Sequence, residues 1–259
     1  MDFSEKVVVI TGGSSGIGKS TAIEFAKKKA SVVIIGKDRD KLLKTLEELK
    51  KYNEKCSSVV CDIRDRINIK SCVNMVLGKY GSIDILINNA GIAMYEEFDK
   101  EIPENITNMV NTNFLGTIYF CKYVIPIMKE QKNGHIINVS SVAGKIGFPN
   151  VAVYAATKGA IYSFTEVLYY ELKRHGIKVS VVCPGATKTN LFDHESWKKF
   201  PHEKRHKNIQ EPNEVAKEII KCTENYRFEV VAPRHYAWKI KALHMFRDSI
   251  MKKIEKLPK

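Results

Sequence analysis

The sequence predicts an α/β fold: a single domain, residues 1–259, built on a doubly wound parallel sheet of about seven strands with helices on both faces. Short runs rich in β-branched residues alternate with longer amphipathic stretches from the first residues onward. Such alternation is typical of parallel strands joined by crossover helices. No internal repeat, low-complexity tract or proline-rich linker interrupts it. A second domain is therefore not expected.

The predicted elements follow one another in order. Strands are expected at Lys6–Thr11, Ser31–Ile35, Ser58–Asp62, Ile83–Asn88, His135–Ser140, Lys178–Val182 and Phe228–Val231. Amphipathic helical patterns occupy Ile17–Lys29, Arg39–Tyr52, Asp65–Lys79, Pro103–Lys129 and Val153–His175. Residues 188–211 break this order, because they are polar and carry no clear strand pattern. A long irregular segment of this kind predicts a lid or binding loop.

The last residues, 234–259, predict a basic amphipathic helix. Its apolar side chains recur at near-helical spacing, at Trp238, Leu243, Phe246, Ile250 and Ile254. Such a stripe is typical of packing on the parent domain or on a subunit partner, and contact with a membrane surface is the alternative. The helical patterns 103–129 and 153–175 are also apolar on one face, but a face that packs on the core has the same pattern, so they leave the oligomeric state open.

Composition bounds the function classes. The chain has 44% hydrophobic residues and no apolar run near the roughly 20 residues that span a bilayer, which predicts a soluble, cytoplasmic protein, with peripheral membrane contact as the only membrane alternative. The net charge is +13, and residues 194–259 contribute 16 Lys or Arg against 9 Asp or Glu. No base-reading motif accompanies this charge, so a nucleic-acid partner is not expected. Six scattered cysteines lack zinc-site spacing, so we expect reduced thiols and no metal.

The segment VVVITGGSSGIGKST, residues 7–21, fits two phosphate-binding patterns. Gly13–Ser20 matches G-x-x-x-x-G-K-[ST], the loop of nucleoside triphosphatases. Thr11–Gly18 matches T-G-x-x-x-G-x-G, a dinucleotide-binding turn. Both patterns place glycines between a strand and a helix, where backbone N–H groups and the positive helix end face a phosphate. The local pattern predicts phosphate binding and leaves the ligand open.

A second pattern pairs Tyr154 with Lys158 in a segment of strong helical periodicity. A spacing of four puts both side chains on one helical face, about 5–6 Å apart at Cβ. A neighbouring ammonium favours a phenolate, so Lys158 is expected to lower the pKa of Tyr154 from its usual value of about 10. Ser140 and Ser141 end a predicted strand, where a hydroxyl would donate to a carbonyl oxygen. Taken singly, each feature also fits a structural role.

Further motifs follow in the same chain order. They are Asn88-Asn89-Ala90-Gly91, Asn113 and Pro184-Gly185. Together with the glycine turn, Ser141 and Tyr154-x-x-x-Lys158, they resemble the short-chain dehydrogenase/reductase family over residues 5 to about 190. The resemblance implies a Rossmann-type, nucleotide-binding fold and an oxidoreductase. It also implies a homo-oligomer, because the family often forms dimers and tetramers through the helices that correspond to 103–129 and 153–175. Such an enzyme transfers a hydride between a nicotinamide and a carbonyl or secondary alcohol.

The resemblance also implies residue roles. Tyr154 would be the general acid in carbonyl reduction, or the base in the reverse direction, while Lys158 would lower its pKa and bond the nicotinamide ribose. Ser141 would polarise the substrate oxygen, and Asn113 would hold a water linking Lys158 to solvent. The implied cofactor-binding residues are Thr11, Gly12, Ser14, Ser15, Gly16, Ile17, Gly18, Lys37, Asp62, Ile63, Asn89, Ala90, Gly91, Tyr154, Lys158, Pro184, Gly185, Thr187 and Thr189.

The end of the second predicted strand favours NADP(H) over NAD(H). NAD-binding folds usually place an acid there to accept the ribose hydroxyls, but this chain has Gly36 followed by Lys37, a cation suited to a 2′-phosphate. Two features argue the other way. Asp38 would be the ribose acid if the strand ended two residues later, and Ser15 is neutral where many NADP users of the family carry a base. Asp62 would contact the adenine.

The substrate is expected to be a lipophilic or bulky ketone or alcohol. This chain ends in residues 228–233 and then a long basic helix, and that ending is similar to family members that act on lipophilic ketones such as steroids, long-chain sphingoid precursors or retinoids. A 3-oxoacyl thioester on an acyl-carrier protein is the alternative. Two other classes remain: a catalytically silent NADP-binding scaffold, and a triphosphatase using Gly13–Ser20. The triphosphatase leaves Ser141, Tyr154 and Lys158 unexplained.

Overall fold

The computed structural model describes residues 2–200 and 209–245. In this part of the chain, seven parallel strands form one sheet in the order β3-β2-β1-β4-β5-β6-β7. The strands are β1 (Val7–Thr11), β2 (Ser31–Gly36), β3 (Ser57–Val60), β4 (Ile85–Asn88), β5 (Gly134–Val139), β6 (Ile177–Pro184) and β7 (Glu229–Ala232). Each lies within two residues of its predicted bounds, so the α/β, Rossmann-type fold with seven strands is confirmed.

Helices connect successive strands. The α-helices are α1 (Gly16–Lys27), α2 (Arg39–Lys50), α3 (Arg66–Tyr80), α4 (Pro103–Met109), α5 (Gly116–Gln131), α6 (Ala152–Lys173), α7 (Pro212–Glu224) and α8 (His235–Met245). Short 3₁₀ turns occupy Phe98–Lys100, Val142–Gly144, Asn190–Phe192 and Glu195–Lys199, and a π-helical segment, Val110–Leu115, joins α4 to α5.

The two sheet faces bury separate cores because side chains alternate along each strand. In β1, Val8 and Ile10 pack with α1 and α7 on one face. Val7 and Val9 pack with α3, α5 and α6 on the other. Helices therefore cover both faces, as predicted. This covering leaves the carboxyl ends of the strands as the open edge of the sheet.

The strand order reverses between β1 and β4, which are neighbours in the sheet. The connection from β1 runs through α1 to β2 on one side, and the chain returns to β4 on the other side. This reversal is the topological switch point of the sheet. In open α/β sheets, ligands bind in the crevice outside the carboxyl ends of the strands at this point.

Three sequence predictions need correction. The 103–129 pattern forms three consecutive helical segments instead of one α-helix. Residues 190–199, expected to be irregular, form two 3₁₀ turns separated by two residues. Helix α7 was not predicted. Residues 201–208 of the predicted loop lie outside the described part of the chain.

The C-terminal helix also differs from expectation where it is described, over His235–Met245. Ile240 is buried in a cluster with β6 and β7, and Tyr236 and Ala237 pack against the same cluster. Trp238, predicted to lie on the packed face, is 63% exposed. The structure does not describe the side chain of Leu243, and Phe246, Ile250 and Ile254 lie outside the described residues. A search of the described helices finds none with the length and hydropathy of a membrane span.

Candidate active site

A cleft of about 1150 Å³ opens along the carboxyl ends of the strands. Its walls come from the loops that follow β1, β2, β3, β4, β5 and β6, together with the segment 189–200. Because the parallel strands all end at this edge, residues far apart in sequence meet here. A volume of this order is ample for a ligand of dinucleotide size.

The glycine turn forms one end of the cleft. Gly12 and Gly16 have positive φ values of 65° and 53°, a left-handed conformation that favours glycine. A Cβ on Gly18 would lie 2.3 Å from the carbonyl oxygen of Gly12, so only glycine lets α1 approach the turn. Helix α1 has no acidic residue in its first turn, and the Ser15 side chain does not cap it. Its N-terminus therefore suits an anion.

Thr11 and Asn89 hold the glycine turn against the loop after β4. The Thr11 hydroxyl accepts hydrogen bonds from the backbone N–H of Asn89 (3.0 Å) and of Ala90 (3.1 Å). The Asn89 amide donates in return to the carbonyl oxygens of Thr11 and Gly12, at 3.0 and 3.3 Å. Thr11 and Gly18 are buried behind the cleft wall. These two residues therefore stabilise the shape of the turn and do not line the cleft.

The rest of the implied cofactor residues line the cleft itself. Thr189 lies across from the turn, since a Cβ on Gly16 would lie 2.9 Å from its methyl group. The Thr187 hydroxyl accepts a hydrogen bond at 3.2 Å from the side-chain amide of Gln210, which follows residues 201–208 in the chain. The cleft-lining residues of the predicted set are Gly12, Ser14, Ser15, Gly16, Ile17, Lys37, Asp62, Ile63, Asn89, Ala90, Gly91, Tyr154, Lys158, Pro184, Gly185, Thr187 and Thr189.

Lys19, the residue that a triphosphatase would aim at phosphate, does not line the cleft. Its ammonium forms an ion pair with Glu48 of α2 at 2.6 Å. The side chain therefore braces two helices against each other.

The wall of the same cleft contains Ser141, Tyr154 and Lys158. Ser141 follows β5, while the other two lie one turn apart on α6. The Ser140 hydroxyl donates to the carbonyl oxygen of Lys158 at 2.7 Å. Gly144 lies so close to α6 that a Cβ would be 2.6 Å from the Lys158 carbonyl carbon. These contacts hold the serine loop against the helix that carries the tyrosine.

The electrostatics of the pair differ from the sequence expectation. Burial raises the pKa of Tyr154, and a hydrogen bond with Ser141 only partly opposes the rise. Burial also lowers the pKa of Lys158, which is 4% exposed, to about 8. The Lys158 ammonium donates to the Val139 carbonyl oxygen at 2.8 Å and lies 5.9 Å from the centre of the Tyr154 ring. The predicted lowering of the tyrosine pKa is thus wrong for this structure, because burial raises that pKa by more than the hydrogen bond with Ser141 lowers it.

Asn113 lies in the π-helical segment, fully buried behind the cleft. Its amide donates to the Ile92 carbonyl oxygen (2.9 Å) and to the Thr157 hydroxyl (3.1 Å), and accepts from the Ile92 N–H (2.8 Å). A Cβ on Gly91 would lie 3.3 Å from the Asn113 oxygen and 3.4 Å from the Lys158 nitrogen. Asn113 and Lys158 therefore flank the same glycine.

Beside the glycine turn, whose Gly12 N–H donates to the Ile35 carbonyl oxygen at 2.8 Å, β2 ends at Gly36, and the exposed Lys37 follows in the cleft wall. The Asp38 carboxylate caps α2 by accepting from the Lys41 N–H at 3.0 Å, and it pairs with the Lys41 ammonium at 3.4 Å. Helix capping lowers the pKa of Asp38. A carboxylate used in this way is occupied as a helix cap.

The opposite end of the cleft is aromatic. Trp197 packs against Tyr95, Phe192 and Phe200, with ring centres 5.2, 4.7 and 5.9 Å away. Its indole N–H donates to the Ala93 carbonyl oxygen at 3.0 Å. Two further interactions join residues 93–96 to residues 192–200. Lys199 forms an ion pair with Glu96, and the Tyr95 N–H donates to the Ser196 hydroxyl at 3.1 Å. This aromatic cluster closes the cleft beside Tyr154.

Sequence reasoning missed two parts of this site. Phe192, Trp197 and Phe200 lie in residues 188–211, which the sequence predicted only as a lid or binding loop, and Tyr95 carried no signal. Arg64, which lines the cleft beside Asp62, had none either. Among the described residues, no cluster of three or more His, Cys, Asp or Glu has the arrangement of a metal site.

Comparisons with known proteins agree with this geometry. The 3-oxoacyl-[acyl-carrier-protein] reductase FabG of Thermotoga maritima is 34% identical over 228 residues, covering 85% of this chain and 91% of that protein. The 3-ketodihydrosphingosine reductase of Bos taurus is 33% identical over 223 residues, covering 83% and 67%.

A solved structure is similar as well. The 3-ketoacyl-(acyl-carrier-protein) reductase of Brucella melitensis, complexed with NADH, superposes with a TM-score of 0.79 at 30% identity, over 88% of this chain and 96% of that one. The family model of the short chain dehydrogenases matches residues 6–199. With that match over most of the chain and a cleft lined by Ser141, Tyr154 and Lys158, the chain belongs to the short chain dehydrogenase family of oxidoreductases.

Proposed function

We propose that this protein is an NADP(H)-preferring reductase of a lipophilic or bulky ketone, acting in reverse on the alcohol, with Tyr154 as proton donor and acceptor. The observation that carries the proposal is the meeting of Tyr154, Lys158 and Ser141 in one cleft with the glycine turn. A dinucleotide fits the residues present, because the turn is kept open by glycines at positions where a Cβ would clash. When bound, the nicotinamide supplies the hydride chemistry.

The chain's own residues then handle the substrate oxygen. The Ser141 hydroxyl donates to it, and the Tyr154 phenol delivers a proton as negative charge develops. Tyr154 holds this proton at neutral pH, since burial raises its pKa further above pH 7 than the usual value of about 10. The Lys158 ammonium stabilises the phenolate left behind and bonds the nicotinamide ribose. Asn113, which flanks Gly91 with Lys158, would hold a water that links Lys158 to solvent.

The preference for NADP(H) is supported by charge at the end of β2. Gly36 provides no carboxylate, Lys37 lies exposed in the cleft wall, and the Asp38 carboxylate is engaged as the cap of α2. Replacing Lys37 with Ala is expected to weaken NADPH binding roughly 5- to 10-fold, with little change for NADH. Lys44→Ala is the matched control, because Lys44 is exposed on α2 away from the cleft. Equal losses for both cofactors would count against NADP(H).

The lipophilic substrate is supported by the aromatic cluster around Trp197 beside Tyr154. The 3-ketodihydrosphingosine reductase relative acts, by its name, on a lipid ketone. A 3-oxoacyl thioester carried on an acyl-carrier protein is the second candidate. It is favoured by the FabG relative and by the net charge of +13, which suits an acidic carrier.

The test is a turnover screen in which the reaction is measured by the absorbance of the nicotinamide. NADPH and NADH are each offered with lipophilic ketones and with 3-oxoacyl thioesters. Faster turnover of lipophilic ketones with NADPH supports the main proposal, and faster turnover of thioesters supports the second candidate. Dinucleotide binding without any turnover would indicate a catalytically silent scaffold.

We also propose peripheral membrane contact through residues 234–259. Trp238 and Met245 are exposed on α8 together with Lys239 and Lys241, a combination suited to an anionic lipid surface. Co-sedimentation with vesicles containing anionic lipid should fall when Trp238 is changed to Ala. Binding that is unchanged after deletion of residues 234–259 would refute the contact.

A homo-oligomer is the remaining proposal on partners. Val167 and Tyr170 of α6 are 51% and 66% exposed, an apolar surface suited to a second copy. Light scattering should show an assembly larger than a monomer that dissociates when Val167 is changed to Asp. A monomeric wild type would contradict it.

A further inference from the structure

Arg64 occupies the end of the cleft near Lys37, two residues beyond Asp62. Its Nε lies 3.0 Å from each Asp62 oxygen, and a terminal nitrogen donates to Oδ2 at 2.5 Å. The Arg64 backbone N–H donates to the same carboxylate at 3.0 Å. The pair lowers the pKa of Asp62, which keeps the carboxylate ionised. Asp62 therefore binds its neighbour with both oxygens.

Arg64 also reaches the opposite wall of the cleft. Its other terminal nitrogen donates to the Asn108 side-chain oxygen of α4 at 3.0 Å, across 44 positions of sequence. Arg64, Asp62 and Asn108 all line the cleft. The guanidinium is thus fixed between two walls, while 43% of the side chain stays exposed.

We propose that Arg64 supplies the surface on which the adenine of the dinucleotide packs, and that Asp62 and Asn108 are positioning residues for its guanidinium. This inference rests on the proposed function, which places a dinucleotide in the cleft. A guanidinium held by fork-like bonds presents a planar, weakly hydrated face. Such a face stacks on an aromatic ring through cation–π and dispersion attraction.

Exposed ion pairs contribute little to the free energy of unfolding, so stability alone does not account for this arrangement of Arg64. Here the guanidinium uses three nitrogens on two partners from different walls. Arg64 also occupies a different place from Lys37, the residue proposed to bind the 2′-phosphate. Lys37 follows β2, whereas Arg64 follows β3 and is bonded to α4.

Binding of the two halves of the dinucleotide tests the proposal directly. Calorimetry with adenosine monophosphate and with nicotinamide mononucleotide is carried out on the wild type, Arg64→Ala, Arg64→Lys and Asn108→Ala. Arg64→Ala should weaken adenosine monophosphate roughly 2- to 30-fold and leave nicotinamide mononucleotide unchanged. Arg64→Lys keeps the charge but loses the planar fork, so it should lose most of the same affinity. Arg66→Ala, exposed at the start of α3, is the matched control and should change neither.

Kinetics supply a second readout. Arg64→Ala and Asn108→Ala should raise KM for NADPH and for NADH by the same factor, with kcat unchanged, because the adenine is common to both. The loss should be smaller for Asn108→Ala, since the Asp62 bonds remain. A loss confined to NADPH would assign Arg64 to the 2′-phosphate and overturn the proposal.

Unchanged binding of adenosine monophosphate by Arg64→Ala would also overturn it, as would full affinity in Arg64→Lys. A wild type that binds neither dinucleotide would refute the proposed function itself. That failure is distinguishable, because it appears before any variant is made.

Discussion

Tyr154 and Lys158 show what residue chemistry sequence spacing can and cannot predict. The spacing of four correctly places both side chains in one cleft wall, on one face of α6. It carries no information on desolvation, which depends on the loops and strands packed around the pair. Burial is what raises the pKa of Tyr154 and lowers that of Lys158. The pKa values of the two residues therefore depend on tertiary packing, which the sequence spacing does not reveal.

A pH prediction follows for the reduction. Lys158 is charged below its pKa of about 8 and neutral above it, while the raised pKa of Tyr154 keeps the phenol protonated in that range. If the ammonium stabilises the developing phenolate, kcat/KM for ketone reduction should fall as pH rises through about 8. Initial rates at saturating NADPH from pH 6 to 10 measure it. A rate that stays constant to pH 10 would contradict the role of Lys158.

At the scale of elements, the strands were predictable and the helical segments only in part. The β-branched runs locate all seven strands because both faces of a central sheet are buried. The sequence did not predict the π-helical segment 110–115, which contains Asn113 and its buried amide. The aromatic cluster around Trp197 was also missed, because it depends on contacts between segments about 100 residues apart.

Two glycines in helices test the glycine turn. Gly18→Ala would force a Cβ to within 2.3 Å of the Gly12 carbonyl oxygen. It should lower the free energy of unfolding by about 1–3 kcal/mol and weaken dinucleotide binding. Gly78→Ala in α3 meets nothing within 4 Å, so it should instead raise stability by about 0.5–1 kcal/mol. Urea unfolding of both variants measures the difference. Equal effects at the two positions would contradict a sterically required turn.

The aromatic cluster leads to a prediction about substrate affinity. Trp197→Ala removes the indole that packs on Tyr95, Phe192 and Phe200. KM for a lipophilic ketone should rise on the order of 10-fold or more, while cofactor affinity stays unchanged. Trp238→Ala, the exposed tryptophan on α8, is the control in a soluble assay. If the two variants have the same KM, the cluster is not the substrate site.

At the scale of the whole molecule, the topology brings the site together. The turn after β1, the serine after β5 and the tyrosine on α6 belong to different parts of the chain, yet all lie at one sheet edge. Chain order and motif spacing were sufficient to predict this meeting, because parallel strands share a carboxyl edge. Substrate identity was not predictable in the same way, since it depends on loop packing over that edge.

The most direct test of the account compares Tyr154→Phe with the wild type. Loss of the proton donor should lower the rate of ketone reduction by about 10²- to 10⁴-fold, while calorimetry shows unchanged NADPH binding. Tyr52→Phe, exposed and away from the cleft, is the matched control and should retain full activity. A Tyr154→Phe variant that reduces the ketone at the wild-type rate would contradict the central claim.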